Sequence, residues 1–171
     1  NTVRAYLKQQ KGYGRSEGSP TEKGTYLDGE GALALLGEKL GAEGVKKIIL
    51  FGRSLGAAVA AEMATRFPSQ GLILESPFVS IAEMTRLYFP LLPIGPLLLT
   101  RYDVQATVQK VTVPVLVLHG DYDSVVPFEQ GKTVFAAAPE PKKFFTIAGA
   151  DHNDTYVVGG EAYYEQLKEF I

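Results

Sequence analysis

Four short stretches of the chain are apolar at successive positions instead of alternating with polar ones: Lys47–Phe51, Gly71–Glu75, Val113–His119 and Lys143–Ile147. A strand with one wet face alternates with a period of two, so continuous apolar runs of this length predict strands covered on both faces, as in a parallel sheet. Between them lie helix-like segments. The first has start signals at Ser19 as N-cap, Pro20 at the first helical position and Glu22 to complete a capping box. It is expected to run to about Leu40, with Leu33, Leu36 and Leu40 on one face. A second helix follows Ser54 and ends near Phe67-Pro68, where proline stops it. A third runs from Pro127 toward Ala138, and a last one from about Gly160 to the carboxyl terminus. Strand and helix in alternation imply an α/β layered fold with a mainly parallel sheet of about four core strands.

Two regions break the pattern. Residues Pro77 to Tyr102 form an apolar, proline-punctuated insertion that reads as a small lid. Residues 1 to 11 space Val3, Tyr6 and Leu7 as a helix would, and no buried strand is expected there. At 171 residues the chain is expected to form one domain.

Composition narrows the chemistry. A net charge of −2 with no basic run gives no reason to expect nucleic acid. With no cysteine and only two histidines, disulfides and thiolate metal sites are excluded, and no metal or other cofactor is expected. The greasiest stretch, Leu87 to Leu99, is broken by prolines and shorter than the ~20 residues that span a bilayer. No signal peptide is visible either, so a cytoplasmic or otherwise soluble location is expected.

The chemistry gathers around Gly52-Arg53-Ser54-Leu55-Gly56, which ends one apolar run and opens a helix. In that setting Gly-x-Ser-x-Gly places a serine on a sharp strand-to-helix turn, its hydroxyl exposed at a helix amino terminus. Side chains at Gly52 and Gly56 are expected to collide with backbone there, and the Leu55 N–H becomes an oxyanion donor. No lysine follows the second glycine, which disfavours a phosphate loop. A serine needs a base, and the base an orienting acid. His152 lies in a turn-rich loop beyond the fourth run and is the expected base. His119, at the end of the third run, reads as a structural or supporting residue. Position alone does not separate Asp121 from Asp123 as the acid, and Glu75 is a lesser alternative. Asp151 and Asp154 are too close to His152 in sequence to orient its ring and read as loop-shaping residues.

Taken together, GYGRSEGSPTEKGTYLD, ILFGRSLGAAVA, LILESPF, PVLVLHGDYDSVVP and DHNDT resemble the α/β-hydrolase superfamily, and within it the α/β-hydrolase domain-containing serine esterases and depalmitoylases. The resemblance covers residues 12 to 171 and implies Ser54 as nucleophile, Asp123 as acid and His152 as base. It implies cleavage of carboxylic esters, with a peptidase or amidase of the same fold as an alternative; since no cluster of cationic residues near these positions points to an acidic substrate, a short to medium acyl ester is expected, and a catalytically impaired scaffold is a third reading. Such hydrolases carry strands and a loop ahead of the Gly12-Tyr13-Gly14 turn, and that loop supplies the second oxyanion donor. The expectation is therefore of a hydrolase shortened at its amino terminus and of low activity unless another donor, such as Tyr13 or a partner subunit, takes over. Its Lys47–Phe51 edge would then be hidden by homo-oligomerisation.

Overall fold

The computed structural model describes residues 21–91 and 99–171. Its frame is a sheet of four parallel strands in the order β1 (Ile49–Arg53), β2 (Gly71–Glu75), β3 (Val115–Gly120) and β4 (Lys142–Ile147). Helices α1 (Glu22–Val45) and α2 (Leu55–Arg66) flank β1, α3 (Ile81–Tyr88) and α4 (Val104–Val108) lie between β2 and β3, and α5 (Phe128–Ala137) leads to β4. Two helices, α6 (Thr155–Val158) and α7 (Gly160–Phe170), end the chain.

Successive residues of a strand point to opposite faces, and the two central strands use both. Leu72, Leu74, Val115 and Val117 pack with α2, α4 and α5, while Ile73, Leu116 and Leu118 pack with Ile147 and Tyr163 on the α7 side. Each of these aliphatic side chains is buried to within 2% of completely, worth about 2 kcal/mol apiece in area removed from water. This is the three-layer α/β arrangement expected from the continuous apolar runs. The outer strands differ from that expectation. Phe51 in β1 and Lys143 and Thr146 in β4 are exposed, because among the described residues each of these strands has a neighbour on one side only and its flanking helices cover it incompletely. Among the described residues β1 hydrogen-bonds to β2 alone.

Helix α1 packs on α2 through Leu33, Val59 and Met63, with Leu36 beside them. Its start departs from the predicted signals. The N-cap is Thr21, whose hydroxyl accepts from Gly24 N at 3.0 Å, and the proposed cap Ser19 and Pro20 lie outside the described residues. The capping box expected of Glu22 involves Ser19 and so lies outside the described residues as well. The Glu22 carboxylate accepts from the N–H groups of Arg101 (2.6 Å) and Tyr102 (3.0 Å), tertiary partners far along the chain. The regular helix stops after Leu40, where Gly41 takes φ 68°, and one further turn follows. The short helices α4 and α6 were not predicted. Among the described residues no helix is long and apolar enough to cross a membrane.

The segment between β2 and α4 is tied down at both ends. Ser80 caps α3 by accepting from Glu83 N, and Ile81 N donates to Arg101 O at 3.0 Å, so the segment returns to its own starting point. Buried Tyr102, at φ 36°, meets Thr25 Oγ1 at 3.0 Å and packs edge-on to Tyr26.

Candidate active site

Parallel strands deliver their carboxyl ends to one edge of the sheet, so the turns after β1, β3 and β4 converge there. Ser54 occupies the first turn. Its φ of 52° and ψ of −120° are rarely adopted by a residue with a side chain, and a backbone so held stores of order 1–3 kcal/mol of strain. Two hydrogen bonds stabilise the turn, from Ser54 N to Glu75 O and from Ala57 N to Ser54 O, each 2.9 Å. Gly52 is required sterically, since a Cβ there would lie 2.1 Å from Gly56 O. The same expectation for Gly56 is not met. A Cβ at that position finds nothing within 4 Å among the described residues, because the close approach is made by the Gly56 backbone and not by its α-hydrogens. Leu55 opens α2, where an N–H has no acceptor within its own helix and is free to meet an anion.

The loops after β3 and β4 bring Asp123 and His152 together. Both are nearly buried, and His152 Nδ1 lies 2.8 Å from Asp123 Oδ2. The other carboxylate oxygen accepts from Val125 N at 3.0 Å and Val126 N at 2.7 Å. Burial opposes the charged form of Asp123, but hydrogen bonds from His119, His152 and the Val126 N–H outweigh it and hold the carboxyl well below the usual carboxylate range. An ionised carboxylate facing Nδ1 makes that nitrogen the donor, so the neutral form of the ring carries its lone pair on Nε2.

His119 stands behind this pair, fully buried, with Nε2 2.9 Å from Val126 O and 3.4 Å from Asp123 Oδ2. A carbonyl and a carboxylate can only accept, so Nε2 carries the proton and His119 supports the acid loop. Its ring is walled by Phe128, edge-on at 5.8 Å, and by Gly131, where a Cβ would fall 2.1 Å from His119 Nδ1. Position in sequence left Asp121 and Asp123 equal, and the geometry separates them. Asp121 Oδ1 accepts from Gly149 N at 2.6 Å and ties the two loops together without touching the histidine ring. Asp151 accepts from Ser124 N and His152 N, and Asp154 from Asp151 N, all within the polar framework of these loops.

Glu75, the lesser candidate acid, is engaged elsewhere. It is buried and accepts from Thr155 Oγ1 at 2.5 Å and Tyr163 OH at 2.8 Å, with Arg53 Nε at 3.5 Å from the same carboxylate. Burial and the adjacent Glu75 charge push the Tyr163 phenol far above its ordinary value, so it stays a donor. Arg53 was not singled out from the sequence. Its Nη2 donates to His152 O at 2.5 Å and to Asn153 Oδ1 at 2.6 Å, linking the residue next to Ser54 with the histidine loop. The available signal was a long cation at the end of an otherwise apolar strand. Tyr88, from α3, donates to Val125 O at 2.6 Å and so touches the loop carrying Asp123. Tyr13 lies outside the described residues, as do Leu92, Ile94, Leu97 and Leu98 of the apolar segment. No group of acidic and histidine side chains able to hold a metal occurs among the described residues.

Comparison with known proteins agrees with this architecture. Residues 2–102 match the family described as serine aminopeptidase, S33, a stretch that contains the Ser54 turn but stops short of Asp123 and His152. An uncharacterised protein of Mycobacterium tuberculosis is 36% identical over 161 residues, covering 94% of this chain and 57% of that protein. Human alpha/beta hydrolase domain-containing protein 17B is 34% identical over 171 residues, covering 94% of this chain and 53% of its own length. The chain thus spans little more than half of these relatives. Among solved structures, the esterase Pf2001 of Pyrococcus furiosus superposes with a TM-score of 0.70 at 22% identity, over 92% of this chain and 65% of that one. The esterase domain of a Rhodothermus marinus protein does so at 0.63 and 24%, over 87% and 70%. Strand order, turn geometry and these matches lead to one assignment: the chain belongs to the α/β-hydrolase superfamily.

Proposed function

We propose that the chain is a serine hydrolase that cleaves carboxylic esters of short to medium acyl length through an acyl-enzyme. Ser54 Oγ attacks the acyl carbon while its proton passes to His152 Nε2, and the carbonyl oxygen, now an anion, meets the Leu55 N–H. Asp123 keeps the imidazole in the required tautomer and stabilises it once protonated. His152 then gives its proton to the departing alkoxide. Water, deprotonated by the same nitrogen, attacks the acyl-enzyme and releases the acid and free Ser54. The segment Pro77 to Tyr102 serves as a lid whose apolar residues receive the acyl chain.

The observation that carries this reading is the 2.8 Å contact of His152 with a buried, ionised Asp123 on the sheet edge that also bears the strained Ser54 turn. Hydrolysis of a p-nitrophenyl ester series by wild type and Ser54→Ala tests it, together with labelling by a fluorophosphonate. Turnover and labelling that both vanish in Ser54→Ala support the enzyme. Wild type that neither turns over nor labels is the behaviour of a binding scaffold. The description of the matched family favours a second reading, a peptidase or amidase of the same fold. Faster cleavage of aminoacyl p-nitroanilides than of the esters would select it. Self-association through the β1 edge belongs to the same proposal, supported by exposed Phe51, and a monodisperse monomer in light scattering at micromolar concentration would argue against it.

A further inference from the structure

We propose that Arg53 is a positioning residue that sets the approach of His152 to Ser54; the inference rests on the serine-hydrolase reading of this site. Arg53 directly precedes Ser54 at the end of β1, and its guanidinium spans three elements. Nη2 donates to the main-chain carbonyl of His152 at 2.5 Å and to the Asn153 side chain at 2.6 Å, while Nε faces Glu75 Oε1 at 3.5 Å.

Glu75 is the anchor. It is 2% exposed at the end of β2 and accepts from Thr155 at the start of α6 and from Tyr163 in α7. One buried carboxylate thereby holds the arginine on the strand side and the helix that follows the histidine loop on the other. A buried carboxylate left without its cation is costly, which keeps the arginine turned inward in spite of its partial exposure.

The loop is held at His152 itself by three contacts: Asp123 at the ring, Asp151 at the N–H and Arg53 at the carbonyl. Asp123 alone fixes the tautomer but leaves the ring free to move as the loop moves. Among the described residues, only the arginine contact refers the histidine to the strand that carries Ser54. The planar fork is what permits this, because Nη2 can serve two acceptors while Nε remains beside a carboxylate. A lysine ammonium at the same place is a point charge and serves one side or the other.

A displacement of about 1 Å between reacting groups costs on the order of 100-fold in rate. In the full chain, Arg53→Met and Arg53→Lys should each lower kcat on a p-nitrophenyl ester about 10- to 100-fold, with KM changed less than about twofold. Arg53→Lys retains a cation beside Glu75, so it keeps the test open if Arg53→Met folds poorly. The second readout needs no turnover. The downfield Nδ1–H proton resonance of His152 should be sharp in wild type and broadened or lost in both variants. Unchanged kcat, an effect confined to KM, or a resonance as sharp in the variants as in wild type would each overturn the positioning role and leave Arg53 as an ordinary stabilising ion pair. If wild type neither hydrolyses the ester nor labels with fluorophosphonate, the enzyme reading fails, and the resonance still decides whether Arg53 holds the histidine.

Discussion

The imidazole of His119 rests against the backbone of Gly131, so closely that a Cβ at residue 131 would fall 2.1 Å from Nδ1. The glycine in α5 therefore determines where His119 sits, and His119 in turn contacts Asp123. Gly131→Ala should force the ring toward the acid loop and destabilise the protein by about 1–3 kcal/mol, the usual cost of overpacking. Thermal unfolding measures this, and a melting temperature equal to wild type would show that the ring has room to retreat.

Asp123 makes a pH-dependent contribution with a definite sign. Its carboxyl titrates far below its ordinary value in the folded chain and near pH 4 in the unfolded one. The stabilisation is present above about pH 4 and lost as pH falls below it. Asp123→Asn removes this linkage, so the melting-temperature gap between wild type and variant should be widest near pH 6 and narrow steadily below pH 4. A gap independent of pH would mean that the carboxylate is not held ionised.

On the proposed mechanism, Ser54 sets stability against activity. At φ 52° a glycine costs nothing in steric strain, whereas it adds freedom to the unfolded chain. With strain of about 1–3 kcal/mol set against an entropic loss of less than about 1, Ser54→Gly should gain up to about 3 kcal/mol of stability, and so melt higher than wild type, while losing all ester hydrolysis. A lower melting temperature would contradict the strain.

The two glycines flanking Ser54 should respond unequally. Gly52→Ala drives a methyl into the Gly56 carbonyl, and a loss of at least about 2 kcal/mol is expected. Gly56→Ala meets no described residue within 4 Å and should fold as wild type does. Equal melting curves for the two variants would refute the asymmetry.

Tyr88 joins α3 to the acid loop through Val125 O. In Tyr88→Phe the loss of an exposed hydroxyl shared between Val125 O and Ser124 O should cost no more than about 1 kcal/mol. If the segment acts as a lid, KM for longer acyl esters should rise while kcat on acetyl esters holds. An unchanged KM across the acyl series would remove that role.

Much of this arrangement was legible in residue order alone, for reasons that differ by element. β2 and β3 were readable because strands covered on both faces are apolar along most of their length, with Glu75 and His119 as buried polar exceptions near their carboxyl ends, and the Ser54 turn because its close contacts demand glycine at residue 52. The poorly covered faces of Phe51 and Thr146 were not readable, since apolarity does not say which strand lies outermost. Helices of four or five residues, such as α6 and α4, are too short for a period to declare itself. The start of α1 escaped because Thr21 is a capping residue type as good as Ser19, and local chemistry does not choose between them. Asp121 and Asp123 are chemically equal and two residues apart, so position could not separate them; the family resemblance favoured Asp123, and the course of the backbone brings that one to His152. Arg53 and Glu75 were legible as charges but not as a pair, because their contact depends on how β1 and β2 are aligned.

The bonds at the base of the Pro77–Tyr102 segment bear on how the protein would survive a protease. Leu91 is almost fully exposed and Phe89 about half so, which offers a cleavage site at the far end of the segment. Both arms of the cut chain would remain fastened, one by Tyr88 to Val125 and the other by Arg101 and Tyr102 to Glu22, with Ile81 and Arg101 bonded across the base. A single nick there should yield two bands on a denaturing gel and one folded particle in solution.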